Sequence, residues 1–152
     1  MEITKTADVS IKALFQVVTE SLKRDYQENT LKKLKKEDII PGLNYIKTFG
    51  SSKQNQIKVI VERFEIPNQY DVSFCSNRGK QTISYHFQEL EANKTLITYV
   101  QNLQASDIFQ KGNHFLMNTL FKKSIEKQTQ AQLEALVMHA KSLDISEKER
   151  QS

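Results

Sequence analysis

The sequence predicts a mixed α+β domain: a curved antiparallel sheet of about six strands wrapped on a long C-terminal helix, with one or two short helices between the first and second strands. Three observations carry this expectation. Apolar residues recur at helical spacing close to the N-terminus, the spacing changes to two between residues 43 and 104, and helical spacing returns from about residue 114. A period near 3.6 marks a helix with one buried face, and a period of two marks a half-buried strand. Gly, Asn and Ser fall between the period-two runs, as in a meander of hairpins.

Glu2 to Ala7 suits a short first strand. Ser10 stands where a helix N-cap belongs. Ile11, Leu14, Phe15, Val18 and Leu22 then line one face, which predicts a helix from about 10 to 26. Leu31 and Leu34 lie three apart among lysines and suggest a short surface helix within 30–38, closed by Ile40-Pro41-Gly42. Pro disfavours helix in the residue before it. Strands are expected at 43–49, 56–66, 70–75, 81–90 and 95–103, joined by turns at 50–55, Pro67-Asn68, Ser76–Gly79 and Glu91–Lys94.

Ser106-Asp107 is a possible start for the final helical region. Met117, Phe121, Ile125, Leu136, Ala140 and Leu143 share a face from about 114 to 143, with Leu116, Leu120 and Leu133 widening it. A helix of that length spans about 45 Å, more than the width of a domain this size. Its first half is expected to bury and its later part to project. The apolar set Leu133, Leu136, Val137, Ala140, Leu143 and Ile145 then needs cover, by a homodimer through the C-terminal helix, a bend or another partner. Residues 1–143 read as one domain and 144–152 as a frayed polar tail.

Composition narrows the function classes. The 152 residues are 38% hydrophobic and 26% charged, with a net charge of +4 and one Cys. A single Cys excludes an internal disulfide framework and a Cys-rich zinc site. No apolar run reaches membrane-spanning length and no leader is evident, so a soluble, cytoplasmic protein is expected. Lys23, Arg24, Lys32, Lys33, Lys35 and Lys36 give a net of +3 across residues 22–37 after Asp25, Glu28 and Glu37. Aromatic residues do not interleave with Lys32, Lys33, Lys35 and Lys36 as a stacking platform requires, so the run reads as a solvated face rather than a nucleic-acid platform.

The order of elements resembles the START-like, or SRPBCC, superfamily with its helix-grip fold. Ile3-Thr4-Lys5 through Val9–Phe15 resembles that family's opening strand and helix. Ile83–Leu90 followed by Asn93–Tyr99 resembles its late hairpin, and the amphipathic helix after residue 107 resembles its closing element. Within the superfamily the chain is most similar to a small bacterial family of unknown function. The resemblance implies a sheet gripping the long helix with a cavity between them. Relatives hold lipids, sterols, polyketides and other apolar molecules there; some are cyclases, some carriers, and some activate a heat-shock ATPase by contact. It therefore implies a binding module for a small apolar or amphipathic ligand. A protein-interaction or regulatory domain is the alternative, and a cyclase- or hydrolase-like enzyme stands third.

Alternation supplies the candidate cavity walls. Val59, then Tyr70 and Phe74, then Ile83, Tyr85 and Phe87 point to one side of their strands. Phe115, Met117 and Phe121 of the last helix are expected opposite them. Plain core packing is the competing reading for such an aromatic stripe, although a buried tyrosine hydroxyl needs a partner. Residues 95–103 are ambiguous, because one slip exchanges an inward Ile97 and Tyr99 for an inward Leu96, Thr98 and Val100.

Chemistry-bearing residues are sparse. His86, His114 and His139 share no metal-ligand spacing, and His114 alone stands at a helix start that could meet a cavity mouth. Cys75 suits a packed strand end. Glu62, Glu65, Glu89 and Glu91 offer carboxylates, but spacing brings no two together. No nucleophile elbow or phosphate loop occurs. No metal or cofactor and no catalytic residue is assigned.

Overall fold

The computed structural model describes residues 1–49, 55–105 and 114–151, and for residues 49, 105, 114–124 and 151 the backbone alone. The chain runs β1 (Glu2–Ala7), α1 (Ile11–Thr30), a 3-10 turn (Lys36–Asp38), β2 (Asn44–Phe49), β3 (Asn55–Glu65), β4 (Gln69–Ser76), β5 (Gly79–Glu91), β6 (Lys94–Ala105) and α2 (His114–Gln151). The strands form one curved antiparallel sheet in the order β1-β6-β5-β4-β3-β2. β1 and β2 are therefore the two edges, and α1 carries the chain from one to the other. Both helices lie on one face of the sheet.

Local chemistry sets the ends of α1. The Ser10 hydroxyl accepts from Ala13 N at 3.1 Å, which caps the first turn. The helix runs past the expected residue 26 because Asn29 and Thr30 tie back to the carbonyls of Asp25 and Tyr26, each at 2.8 Å. Leu31 then takes a left-handed conformation, φ 61°, and its N–H closes on Gln27. That residue ends the helix, so the short helix expected within 30–38 reduces to the 3-10 turn at Lys36–Asp38. Leu34 alone of this stretch's leucines is buried, while Leu31 is 89% exposed. Gly42 at φ 97° turns the chain into β2, donating to Val61 O at 2.7 Å.

The hairpins follow the expected turns. Single extra residues break the ladder between Val61 and Arg63 and between Glu89 and Glu91. Such bulges bend a sheet. The second, at Leu90, decides the ambiguous strand. It sets Phe87 opposite Ile97 and Tyr85 opposite Tyr99, and Thr95, Ile97 and Tyr99 are buried.

The core fills the space between sheet and helices. Phe87, Leu14, Ile97 and Val61 are fully buried, and Phe15 meets Phe87 edge-on with ring centroids 6.2 Å apart. The later part of α2 does not project as expected: Leu133, Val137 and Ala140 are buried, and Leu136 and Leu143 pack against the core. The later part of the helix thus covers the domain, and the reason given for a homodimer disappears. The expected first-half partners Phe115, Met117 and Phe121 lie outside the described side chains. Beyond residue 143 the chain is polar as expected but helical to Gln151 rather than frayed. Asp144 explains the continuity, because its carboxylate accepts from Ser10 N at 2.9 Å and Ser10 Oγ at 2.7 Å.

Candidate functional site

A cavity of about 560 Å³ lies between the sheet and the two helices. Its floor is the inward pleat of three strands: Val59 of β3, Tyr70, Val72 and Phe74 of β4, and Ile83 and Tyr85 of β5. Register makes that floor continuous, since Val59 opposes Phe74, Val72 opposes Ile83 and Tyr70 opposes Tyr85. α1 gives one wall through Val18, Leu22 and Asp25, and α2 gives another through Gln132, Leu136 and His139. Spacings of three and four put each set on one helical face. Most of the lining is aliphatic or aromatic, with a few polar groups, as in sites for small apolar molecules.

The polar groups gather around Asp25. Tyr45 and Lys47, two apart on β2, both line the cavity. The Tyr45 hydroxyl donates to Asp25 Oδ2, and Lys47 Nζ donates to Asp25 Oδ1 at 2.7 Å. The Asp25 side chain is 25% exposed and that of Lys47 39%, so the pair sits at a wetted edge. Burial, then the hydrogen bond and charge of Asp25, hold the Tyr45 phenol far above its ordinary range. Burial is also the main cause for Tyr70 and Tyr85, reinforced by Tyr85 and Asp25 for the first and Tyr99 for the second. These phenols remain neutral donors at physiological pH.

Of the nine residues expected to form walls, Val59, Tyr70, Phe74, Ile83 and Tyr85 line this cavity. Phe87 does not; it points to the same side but is sealed beneath Phe15. Phe115, Met117 and Phe121 fall outside the described side chains. His86 is exposed, the His114 side chain is outside the description, and Cys75 is a half-buried free thiol. Glu62, Glu65, Glu89 and Glu91 are exposed on the sheet, Glu62 beside Lys80 and Glu65 beside Arg63. Lys32, Lys33, Lys35 and Lys36 are exposed as well.

Asp25, Lys47, Tyr45 and His139 were not legible as site residues. One signal was present for Asp25: it extends the apolar stripe of α1 three residues beyond Leu22, a charged residue on the face that should be dry. His139 likewise follows Leu136 by three on α2. Among the described residues no group of three or more His, Cys, Asp or Glu is placed to hold a metal ion.

A family model described as "Domain of unknown function (DUF3284)" matches residues 1–122. The chain belongs to that family. No curated protein matches the DUF3284 chain in sequence. Among solved structures it is similar to a START superfamily protein from Mycobacterium smegmatis, with a TM-score of 0.60 and 13% identity over 91% of this chain and 96% of that one. It is also similar to norcoclaurine synthase from Thalictrum flavum, crystallised with dopamine and hydroxybenzaldehyde, with a TM-score of 0.59 and 12% identity over 94% and 84% of the two chains. An HSP90 activator from Plasmodium falciparum is a more distant likeness, with a TM-score of 0.51 and 16% identity over 82% and 87%. At these identities the likeness concerns the fold: the DUF3284 chain has the START-like helix-grip architecture.

Proposed function

We propose that this domain is a binding module that encloses a small, largely apolar or amphipathic molecule between its sheet and C-terminal helix. The observation that carries the reading is the cavity of about 560 Å³, apolar over most of its lining and polar at the Asp25 edge. A core built only for stability closes such a space, because interiors pack to the density of organic crystals. The Thalictrum flavum neighbour, crystallised with two small aromatic molecules, supports the same use of the fold. Native mass spectrometry of the protein purified from its own cell is the test. A retained small molecule, lost when Leu136→Trp fills the cavity, is the expected result. A bare chain that also fails to bind any apolar dye sinks the reading.

The alternative, a protein-interaction or regulatory domain, draws on the HSP90 activator neighbour. It predicts a protein partner whose capture survives Leu136→Trp. The enzyme reading has one favourable feature, the convergence of Asp25, Lys47 and Tyr45 in a cavity. Asp25 already serves two donors, however, so the binding role comes first.

A further inference from the structure

The cavity's tyrosines fall into two kinds. Tyr45 donates to Asp25, and Tyr99, behind the floor on β6, donates to Gln101 Oε1 at 3.0 Å. The hydroxyls of Tyr70 and Tyr85 have no hydrogen-bond partner among the described residues, yet both side chains line the cavity. Tyr70 keeps only 7% of its surface exposed. A buried hydroxyl left without a partner is costly, so Tyr70, with the half-buried Tyr85 beside it, has a donor to offer a ligand.

Their geometry indicates what arrives. Tyr70 and Tyr85 are direct cross-strand neighbours of β4 and β5, so their side chains leave the same face side by side. The rings are nearly parallel, 19° apart in plane, with centroids 6.2 Å apart. Two phenol donors therefore stand side by side on one stretch of the cavity floor.

We propose that Tyr70 and Tyr85 form a two-donor clamp for one neutral carbonyl oxygen on an otherwise apolar ligand. This rests on the cavity-binding reading above. A carbonyl oxygen has two lone pairs and accepts from both phenols at once. Neutrality follows from the lack of a spare countercharge: Lys47 is the lysine that lines the cavity, and its ammonium is already paired with Asp25, so a carboxylate buried there would go uncompensated. The ligand's apolar body then rests on Val72 and Ile83, the next cross-strand pair along the same floor.

The test uses 6-propionyl-2-(dimethylamino)naphthalene, a fluorescent ketone whose emission moves to the red when its carbonyl accepts hydrogen bonds. Its 6-propyl analogue lacks the oxygen and keeps the shape. The full chain is titrated with each, alongside Tyr70→Phe and Tyr85→Phe, which delete one hydroxyl and leave the ring. The expected result is tighter binding of the ketone than of the propyl analogue. Each substitution should weaken the ketone by about 2- to 10-fold, move its bound emission to the blue, and leave the analogue unchanged. Equal affinities for the two probes, or a bound ketone emitting as it does in hydrocarbon solvent, overturn the clamp and leave the cavity reading standing. That wild-type comparison decides even if a variant does not fold. Absence of saturable binding by both probes overturns the cavity reading and the clamp together.

Discussion

Asp25 shows how much one side chain settles at the cavity edge. Its carboxylate accepts a hydrogen bond from Tyr45 on one oxygen and from Lys47 on the other. Asp25→Ala strands the half-buried Tyr45 hydroxyl and should cost about 1–3 kcal/mol, read as a shift in the urea midpoint. Lys47→Met should cost less than about 1 kcal/mol, because the ammonium is partly solvated and the ion pair correspondingly weak. The reverse order of the two losses would show that Lys47, not Tyr45, is what Asp25 supports. The tyrosines give a pH signature of their own. Burial holds Tyr45, Tyr70, Tyr85 and Tyr99 above the ordinary phenol range in the folded state. In the unfolded chain they release protons near pH 10, so between that pH and their folded values the folded state binds more protons. Stability is therefore fully present below about pH 10 and falls as pH rises beyond it. Urea denaturation from pH 8 upward should show a plateau and then a decline, with phenolate absorbance rising in step with unfolding. Phenolate formation in the still-folded protein near pH 10 would place these hydroxyls in water.

At the scale of elements, one contact couples the two ends of the chain. Ser10 caps α1, and Asp144 of α2 accepts from both its N–H and its hydroxyl. Ser10→Ala should cost about 1–2 kcal/mol. Asp144→Ala should act through the same contact, so thermal melts of the double variant should show less than the sum of the two losses. Strict additivity would mean that the residues act separately. Which elements form was legible in the sequence, because Ile11 to Leu22 and the strands between Asn44 and Ala105 each show one period to a solvent-facing boundary. What lay beyond reading depends on contacts between distant residues. The end of α1 is set by Thr30 and Leu31 closing on the turn before them. The inward face of β6 depends on one extra residue at Leu90. That the later half of α2 packs on the domain could not be read from a period, since apolar residues mark both halves and periodicity names a face without naming its partner. The aromatic floor of the cavity was legible for the same reason as the strands. Its polar edge was not, because Asp25, Tyr45 and Lys47 meet only once α1 lies across β2.

The whole molecule turns on which part of α2 closes the sheet. The helix has 38 residues, about 57 Å at the usual rise, and among its described side chains the buried ones fall between Thr129 and Ala140. Those residues pack on the chain's own sheet and α1. The late apolar stripe therefore needs no second copy to cover it. Met138 at 71% and Ile145 at 59% exposure are single side chains on the outer surface, an ordinary feature of monomers. A chain ending at Gln130 loses Leu133, Leu136, Val137 and Ala140 together. Each buried Leu is worth about 2–5 kcal/mol on truncation to Ala, and the usual stability of a domain is only about 5–15 kcal/mol. The shortened chain should be unfolded by circular dichroism. The full chain should sediment as a monomer with a melting temperature independent of protein concentration, since a folded state that needs a partner is stabilised by mass action. A melting temperature that climbs with concentration, or a shortened chain that stays folded, would return the late helix to an interface. It would also remove the wall on which the cavity depends.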